Sequence, residues 1–251
     1  MISIKSKTEL EKLAVAGRLS ANALMYGGSM IKAGMTTYEL DKLIHDYIVK
    51  NGGTPTFLGY GGFKGSACIS LNEKVIHGIP SKHEVIKDGD IVTIDTGATV
   101  DGWCGDNAYT FPVGKVNEET LKLLEVTKEA LRIGIAQAVP GNRVGDISHA
   151  IEEYVRSFGY GIVKEYCGHG VGRTLHESPE VPNYGTAGKG PRLMPGMVIA
   201  IEPMVSLKGD AIRQLPDGWG VVSKSGAPTA HYENTIAITK DGPEILTKAT
   251  I

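Results

Sequence analysis

Cysteine is scarce: only Cys68, Cys104 and Cys167 occur, an odd number with no CxxC pair. That excludes a disulfide framework and a cysteine-based structural zinc site, and it fits a reducing compartment. Long hydrophobic runs are missing too. The longest, such as Met197-Val198-Ile199-Ala200-Ile201, fall far short of the ~20 residues a bilayer-spanning helix needs. The first residues, Met1-Ile2-Ser3-Ile4-Lys5-Ser6-Lys7, hold no apolar core of a secretory leader, so a cytoplasmic location is expected. Neither sign of charge dominates: 26 Lys and Arg stand against 28 Asp and Glu, a net charge of −2. This balance offers no general attraction for nucleic acid or an anionic membrane, and neither is expected as a partner. Several catalytic motifs are absent. There is no GxSxG and no Walker loop; His176-Glu177-Ser178-Pro179-Glu180 is not HExxH, and the run from Gly168 to Arg173 breaks GxGxxG at its last position.

What abounds is glycine, 33 residues of 251 against an average of roughly 7%. Nothing collagen-like accompanies it, so tight turns and close backbone approaches are expected. Hydrophobic residues at 41% and charged residues at 22% are the proportions of a folded globular chain. The chain also repeats itself. One offset lays Gly34, Leu40, Ile44, Tyr47, Ile48 and Gly52 over Gly141, Ile147, Ile151, Tyr154, Val155 and Gly159, and Gly89 and Asp95 over Gly196 and Glu202. Nearby offsets lay His77-Gly78-Ile79 over His169-Gly170-Val171 and Asp106-Asn107 over Glu233-Asn234. The order helix, His-Gly, acid in a strand, acid before Asn therefore occurs twice, which points to duplication. Convergence of two α/β stretches would not explain why ionisable residues match ionisable residues. No linker-like stretch separates the copies. Residues 1–251 read as a single domain with halves at about 8–114 and 117–242 and a pseudo-twofold relation between them.

The local pattern is α+β. Thr8-x-x-Glu11 reads as a capping box opening a helix to about Met30, and Thr36-x-x-Glu39 as a second, stopped at Gly52-Gly53. Asn117 opens a third helix that Pro140-Gly141 ends, and a fourth runs over about 144–158. Short β-rich runs cover 91–96, 103–111, 197–201 and 235–239. Asp101-Gly102 is a two-residue hairpin signal, and that loop places Asp106 opposite Gly97. Alternation then puts Asp95 and Asp106 on one face as diagonal neighbours. A cation between two such like charges is the natural reason for the arrangement; the alternative is one buried Asp and one solvated Asp at a turn.

The second half adds Glu202 at the end of an apolar strand, Glu233 at the start of another, and His169 between two glycines. Carboxylates at the ends of core strands need partners. Lys64, Lys164 and Arg173 are the cations placed to help, whereas two divalent ions would balance four carboxylates outright. One His with four carboxylates and no thiolate suits Mn, Fe(II), Co or Zn at a two-metal site. His45, His83 and His149 sit on charged stretches and read as solvated, and Cys104 as a small buried hydrophobe.

Four segments carry a resemblance. Asn72–Pro80, Gly168–Arg173, Ile201–Val205 and Tyr232–Ile236 resemble the signature segments of bacterial type I methionine aminopeptidases, and the likeness runs from about Thr8 to the C-terminus. It implies the pita-bread fold, an α+β architecture of two similar halves around a central antiparallel sheet. The short spacing from His169 to Glu202 leaves no room for the insertion typical of type II enzymes, and the zinc-finger extension of eukaryotic type I enzymes is missing. The resemblance implies removal of N-terminal methionine when the second residue is small and uncharged, by attack of a metal-bridging water or hydroxide. The implied ligands of two divalent ions are Asp95, Asp106, His169, Glu202 and Glu233, with Asp106 and Glu233 bridging, Asp95 on one ion, and His169 with Glu202 on the other. Glu202 is then the proton acceptor, His176 the donor to the developing oxyanion, and His77 a contact just beyond the scissile bond. The implied methionine pocket comprises Phe57, Tyr60, Phe63, Cys68, His77, Leu175 and Trp219; Phe57 and Phe63 depart from the Cys and Tyr of many members. The partners implied are nascent polypeptide N-termini, met at the ribosome, with the protein acting as a monomer. Two other readings are a pita-bread binding protein without catalysis, and a relative of prolidase or aminopeptidase P. Loss of metal ligands would mark the first and a large additional N-terminal domain the second.

Overall fold

The computed structural model describes residues 2–251. Four helices, α1 (Lys7–Met30), α2 (Thr37–Lys50), α3 (Glu118–Ala136) and α4 (Val144–Arg156), pack on a curled antiparallel sheet of nine strands. Three of the four helix starts behave as the sequence indicates. Thr36 and Glu39 form a reciprocal capping box, Asn117 accepts from the Thr120 N–H, and α4 begins at Val144.

The start of α1 differs from the expectation. The capping box is Ser6–Glu9, with the Ser6 N–H donating to the Glu9 carboxylate at 2.8 Å, and not Thr8–Glu11. Both frames satisfy the same pattern. The earlier one wins because Lys5 is already pinned, its N–H donating to the Gly196 carbonyl at 2.7 Å, so the chain turns into the helix immediately afterwards.

The sheet runs in the order Thr54–Pro55, Ile91–Val100, Trp103–Pro112, Glu233–Thr239, Val198–Ile201, Gly168–Gly170, Glu177–Val181. Ala67–Leu71 adds beside Ile91–Val100, and Gly242–Ile245 beside Glu233–Thr239. Strands from the first and second halves of the chain meet where Glu233 and Asn234 pair with Ala108 and Asn107. The Asp101-Gly102 turn has φ of 49° and 75° at its two residues, the left-handed geometry of a tight two-residue hairpin. Its register is the one expected: Gly97 faces Asp106 and Val100 faces Trp103.

Alternation along this hairpin separates two chemistries. Asp95 and Asp106 face a cavity, while Asn107 faces α1, where it meets Ser20; the Ser20 hydroxyl also donates to the Thr96 carbonyl at 2.8 Å. Helix α1 approaches so closely that a Cβ at Gly105 would run into the backbone of Ala16 and Gly17. The strand before Asp106 therefore needs glycine there. One apolar cluster, including Leu40, Ile44, Ile69 and Ile94, lies under α1 and α2. A larger one, including Leu123, Ile147, Ile151, Ile199 and Ile236, lies under α3 and α4. Among the described residues no helix is long and apolar enough to cross a membrane.

Candidate metal centre and substrate pocket

Between the sheet and its connecting loops lies a cavity of about 190 Å³. Every residue that the resemblance implies as a ligand, catalytic group or pocket contact lines it: Asp95, Asp106, His169, Glu202 and Glu233 on one side, Phe57, Tyr60, Phe63, Cys68, His77, Leu175, His176 and Trp219 around the other. Register explains the first group. Asp95 and Asp106 project from adjacent strands, Glu233 opens the neighbouring strand opposite Ala108, and Glu202 follows directly on the end of the strand beside that. His169 sits in the three-residue Gly168–Gly170 strand. A Cβ at Gly168 or Gly170 would strike the carbonyls of Ala200 or Ser178, so these glycines serve close strand approach.

Ligand atoms of Asp106, His169 and Glu233 lie within 4.8 Å of one another. His169 Nε2 is 3.6 Å from Asp106 Oδ2 and 3.6 Å from Glu202 Oε1. Its Nδ1 donates to the Gly170 carbonyl at 2.9 Å, which leaves the Nε2 lone pair facing the carboxylates. Burial, followed by the neighbouring His176 ring, lowers its pKa to about 4, so the ring is neutral with a lone pair able to bind a metal.

The carboxylates are poorly served by the protein itself. Asp95 Oδ1, Asp106 Oδ1 and Glu233 Oε1 are buried with no hydrogen-bond partner among the described residues. Burial raises Asp106 to about 7, and burial with mutual repulsion pushes Asp95, Glu202 and Glu233 well up. The cations named from the sequence do not relieve this. Lys164 pairs with Asp210 at 3.3 Å, the Arg173 guanidinium lies 4.4 Å from the Trp103 ring centre, and Lys64 is exposed. Among the described residues, no lysine or arginine forms an ion pair with any of the four. Orphaned buried oxygens around a neutral imidazole fit divalent metal ions.

The other wall is apolar. Phe57, Phe63, Cys68 and Leu175 form one buried cluster with Ile79 and Trp219 packed on it, and Phe63 and Trp219 meet edge-on at 5.1 Å between ring centres. His77 has φ of 57°, a left-handed conformation uncommon outside glycine, and its ring stands edge-on to Tyr166 at 5.5 Å. Tyr60 and His176 lie at the rim, with the Tyr60 hydroxyl 2.8 Å from His176 Nδ1. Cys104, as expected, is buried away from the cavity in an apolar cluster. His83 and His149 are exposed, but His45 is half-buried and its Nδ1 lies 2.8 Å from Ser66 Oγ, because α2 packs against the segment that enters the Ala67–Leu71 strand.

Sequence reasoning missed His231. This ring is 1% exposed, lines the cavity, and sets Nε2 3.6 Å from Glu202 Oε2; among the described residues neither nitrogen has a hydrogen-bond partner. The two oxygens of Glu202 are thus bracketed by two imidazoles, His169 and His231. A signal existed: His231 lies two places before Glu233 in an extended run, so alternation sends both side chains the same way. Tyr166 and Cys167 also line the cavity without having been singled out.

A curled antiparallel sheet of this order, with helices behind it and a carboxylate–imidazole cluster in front, is the frame of a metallopeptidase. The chain belongs to metallopeptidase family M24, whose family model matches residues 11–240. It is 52% identical to the methionine aminopeptidase of Clostridium acetobutylicum over 247 residues, covering 98% of this chain and 99% of that one. Methionine aminopeptidase 1 of Bacillus subtilis is 49% identical over 248 residues, with 99% and 100% covered. The crystal structure of a methionine aminopeptidase from Thermotoga maritima superposes with a TM-score of 0.97 at 46% identity, covering 99% of this chain and 100% of that one. The prolidase of Pyrococcus horikoshii matches with a TM-score of 0.77 at 28% identity, and only 64% of its chain is covered. The fold is the pita-bread fold that these proteins share.

Proposed function

We propose that this enzyme removes the N-terminal methionine from polypeptides whose second residue is small and uncharged. The observation that carries this reading is near-full-length identity of about half to methionine aminopeptidases, in a chain whose metal-ligand cluster opens onto an aromatic pocket. Asp95, Asp106, His169, Glu202 and Glu233 would hold two divalent ions, and the oxygen-rich donor set suits Mn, Fe(II), Co or Zn. Bound there, the ions supply Lewis acidity and lower the pKa of a coordinated water.

The chain's own groups do the rest. The methionine side chain enters the cluster of Phe57, Phe63, Cys68 and Leu175 beneath Trp219, where aromatic edges favour a thioether by roughly 0.3–1.5 kcal/mol per contact. Glu202, whose two oxygens face His169 and His231, would accept the proton given up by the water that attacks the scissile carbonyl. When the Tyr60 hydroxyl, 2.8 Å from His176 Nδ1, donates to it, the proton of the neutral ring sits on Nε2 and would bond the scissile carbonyl oxygen as it gains charge. His77, held by its left-handed backbone and the Tyr166 edge, contacts the peptide just past the scissile bond.

The test is product analysis by mass spectrometry. Metal-stripped protein reloaded with Mn, Fe(II) or Co should release methionine from Met-Ala-Ser and leave Met-Leu-Ser and Ala-Pro intact. A pocket discriminates one methylene by only ~1–3 kcal/mol, so rejection of leucine must come from a clash. Equal rates on Met-Ala-Ser and Met-Leu-Ser would remove the size rule, and cleavage of Ala-Pro would favour prolidase-type chemistry.

A further inference from the structure

Behind the rim that carries His176 lies a part-buried ion pair that does not line the cavity. Lys5 is 6% exposed, and its Nζ sits 2.6 Å from Glu177 Oε2. Exposure sets this pair apart from the equally short Lys42–Asp46 pair: the side chains of Lys5 and Glu177 are 4% and 19% exposed, those of Lys42 and Asp46 62% and 56%. A surface pair adds little, whereas a buried ammonium is tolerated only with its partner in place.

The partner also closes a turn. Glu177 Oε1 accepts from the Arg173 N–H at 3.1 Å, so one carboxylate spans the turn from Arg173 to Glu177. Inside that turn sit Leu175 and His176, both of which line the cavity. Two further bonds are local, Gly172 N–H to the Thr174 carbonyl at 3.1 Å and Thr174 Oγ1 to the His176 carbonyl at 3.3 Å; Cys104 N–H donates to the Gly172 carbonyl at 2.9 Å, and the Tyr60 hydroxyl meets His176 Nδ1 at 2.8 Å. The space behind it is full, since a Cβ at Gly172 would strike the Glu177 carboxylate and the Lys5 ammonium. Lys5 is in turn fixed to the sheet. Its N–H donates to the Gly196 carbonyl at 2.7 Å, and the Gly196 N–H donates to the Ile238 carbonyl at 2.8 Å. Gly196 lies two residues before the Val198–Ile201 strand that delivers Glu202. The N-terminal segment therefore ties the rim turn to the strand that presents Glu202.

We propose that the Lys5–Glu177 pair is a positioning device for His176, holding the Arg173–Glu177 turn so that the ring stays aimed into the cavity. Lys5 and Glu177 touch no substrate; they act on turnover through that ring. The proposal rests on the role given to His176 above.

A variant set separates the two ideas. Lys5→Met leaves the half-buried Glu177 carboxylate without its cation, and Lys5→Met/Glu177→Gln leaves no unpaired charge and serves if the single variant fails to fold. Each is made alone and in the His176→Ala background, with metal content measured on the same preparation. His176→Ala should keep its metals and lose about 10²–10³ in kcat on Met-Ala-Ser. Lys5→Met should lower kcat about tenfold or more and move KM little, because a small misplacement of a reacting group costs rate before it costs binding. In the His176→Ala background the same change should cost nothing further. Side-chain NMR of metal-free protein gives a readout without turnover. The His176 ring signals, assigned by their absence in His176→Ala, should shift or broaden in Lys5→Met, while those of His83 stay in place. An equal kcat loss in both backgrounds, or unmoved His176 signals, overturns the positioning role and leaves a stability pin. Full kcat in His176→Ala defeats the oxyanion reading instead, and the NMR result then still decides whether the pair orients the ring.

Discussion

Asp95, Asp106, His169, Glu202 and Glu233 form one wall of the cavity, and Phe57, Phe63, Cys68 and Leu175 much of the other, but the two are held differently. The charged wall is mounted on the central sheet, where a ladder of backbone bonds sets each residue's neighbour: Gly97 opposite Asp106, Glu233 opposite Ala108. A slip of one residue would turn its side chains to the opposite face. The apolar wall comes from segments outside that ladder: Phe57 and Phe63 around a three-residue helical turn, Leu175 in the Arg173–Glu177 turn, Trp219 after a tight turn at Gly218. Only Cys68 comes from the sheet. The charged wall is unstable by its own electrostatics and needs a guest; the apolar wall is packed and self-sufficient. On the proposed function, chemistry is placed on the rigid element and selectivity on elements outside the ladder.

That contrast is most sharply tested at the charged wall. Asp106→Asn or Glu233→Gln removes a carboxylate from the ligand cluster, so calorimetry should show weakened metal binding and turnover should be lost. The wild-type metal-free protein should gain stability when a divalent ion is added, about 2.7 kcal/mol at a hundredfold excess over Kd, read as a rise in Tm. Normal binding of two equivalents by either variant, with normal turnover, would break the two-metal reading. The apolar wall should respond more gently. Trp219→Ala removes one edge over the pocket, and KM for Met-Ala-Ser should rise by at most about tenfold, with metal content unchanged. Loss of a metal in that variant would mean the walls are not independent.

The smallest effect belongs to a carboxylate outside the cavity. Asp210 takes two bonds from the Arg156 guanidinium, each 2.7 Å, and these lower its pKa from 3.8 to about 2. A depressed folded-state value means the stabilisation is present above about 3.8 and is lost as pH falls through about 2. Asp210→Asn should remove that acid-range slope from a stability-versus-pH curve and cost no more than about 1 kcal/mol at neutral pH, since the pair is only half-buried. An unchanged slope would show that the pair contributes nothing.

Much of this site was legible in the chain because its information is local. Asp101-Gly102 sets the hairpin, the hairpin sets the register, and alternation then puts Asp95 and Asp106 on one face. The matched order of His-Gly and acidic residues pointed to the second set of ligands, and the family resemblance named the pocket. Other features depend on which distant segments come to lie side by side. Ser6 caps α1 instead of Thr8 because Lys5 docks on Gly196; His45 is half-buried because α2 packs against Ser66; His231 reaches Glu202 across a fold that separates them in sequence. The same holds for the Lys5–Glu177 pair, in which a lysine near one end of the chain meets a glutamate beside His176. Residue types, caps, turns and alternation are written in short windows of sequence, where sterics and backbone hydrogen bonding decide them. Partnership between buried charges is decided only when packing removes water and leaves each group the neighbours that the tertiary fold supplies.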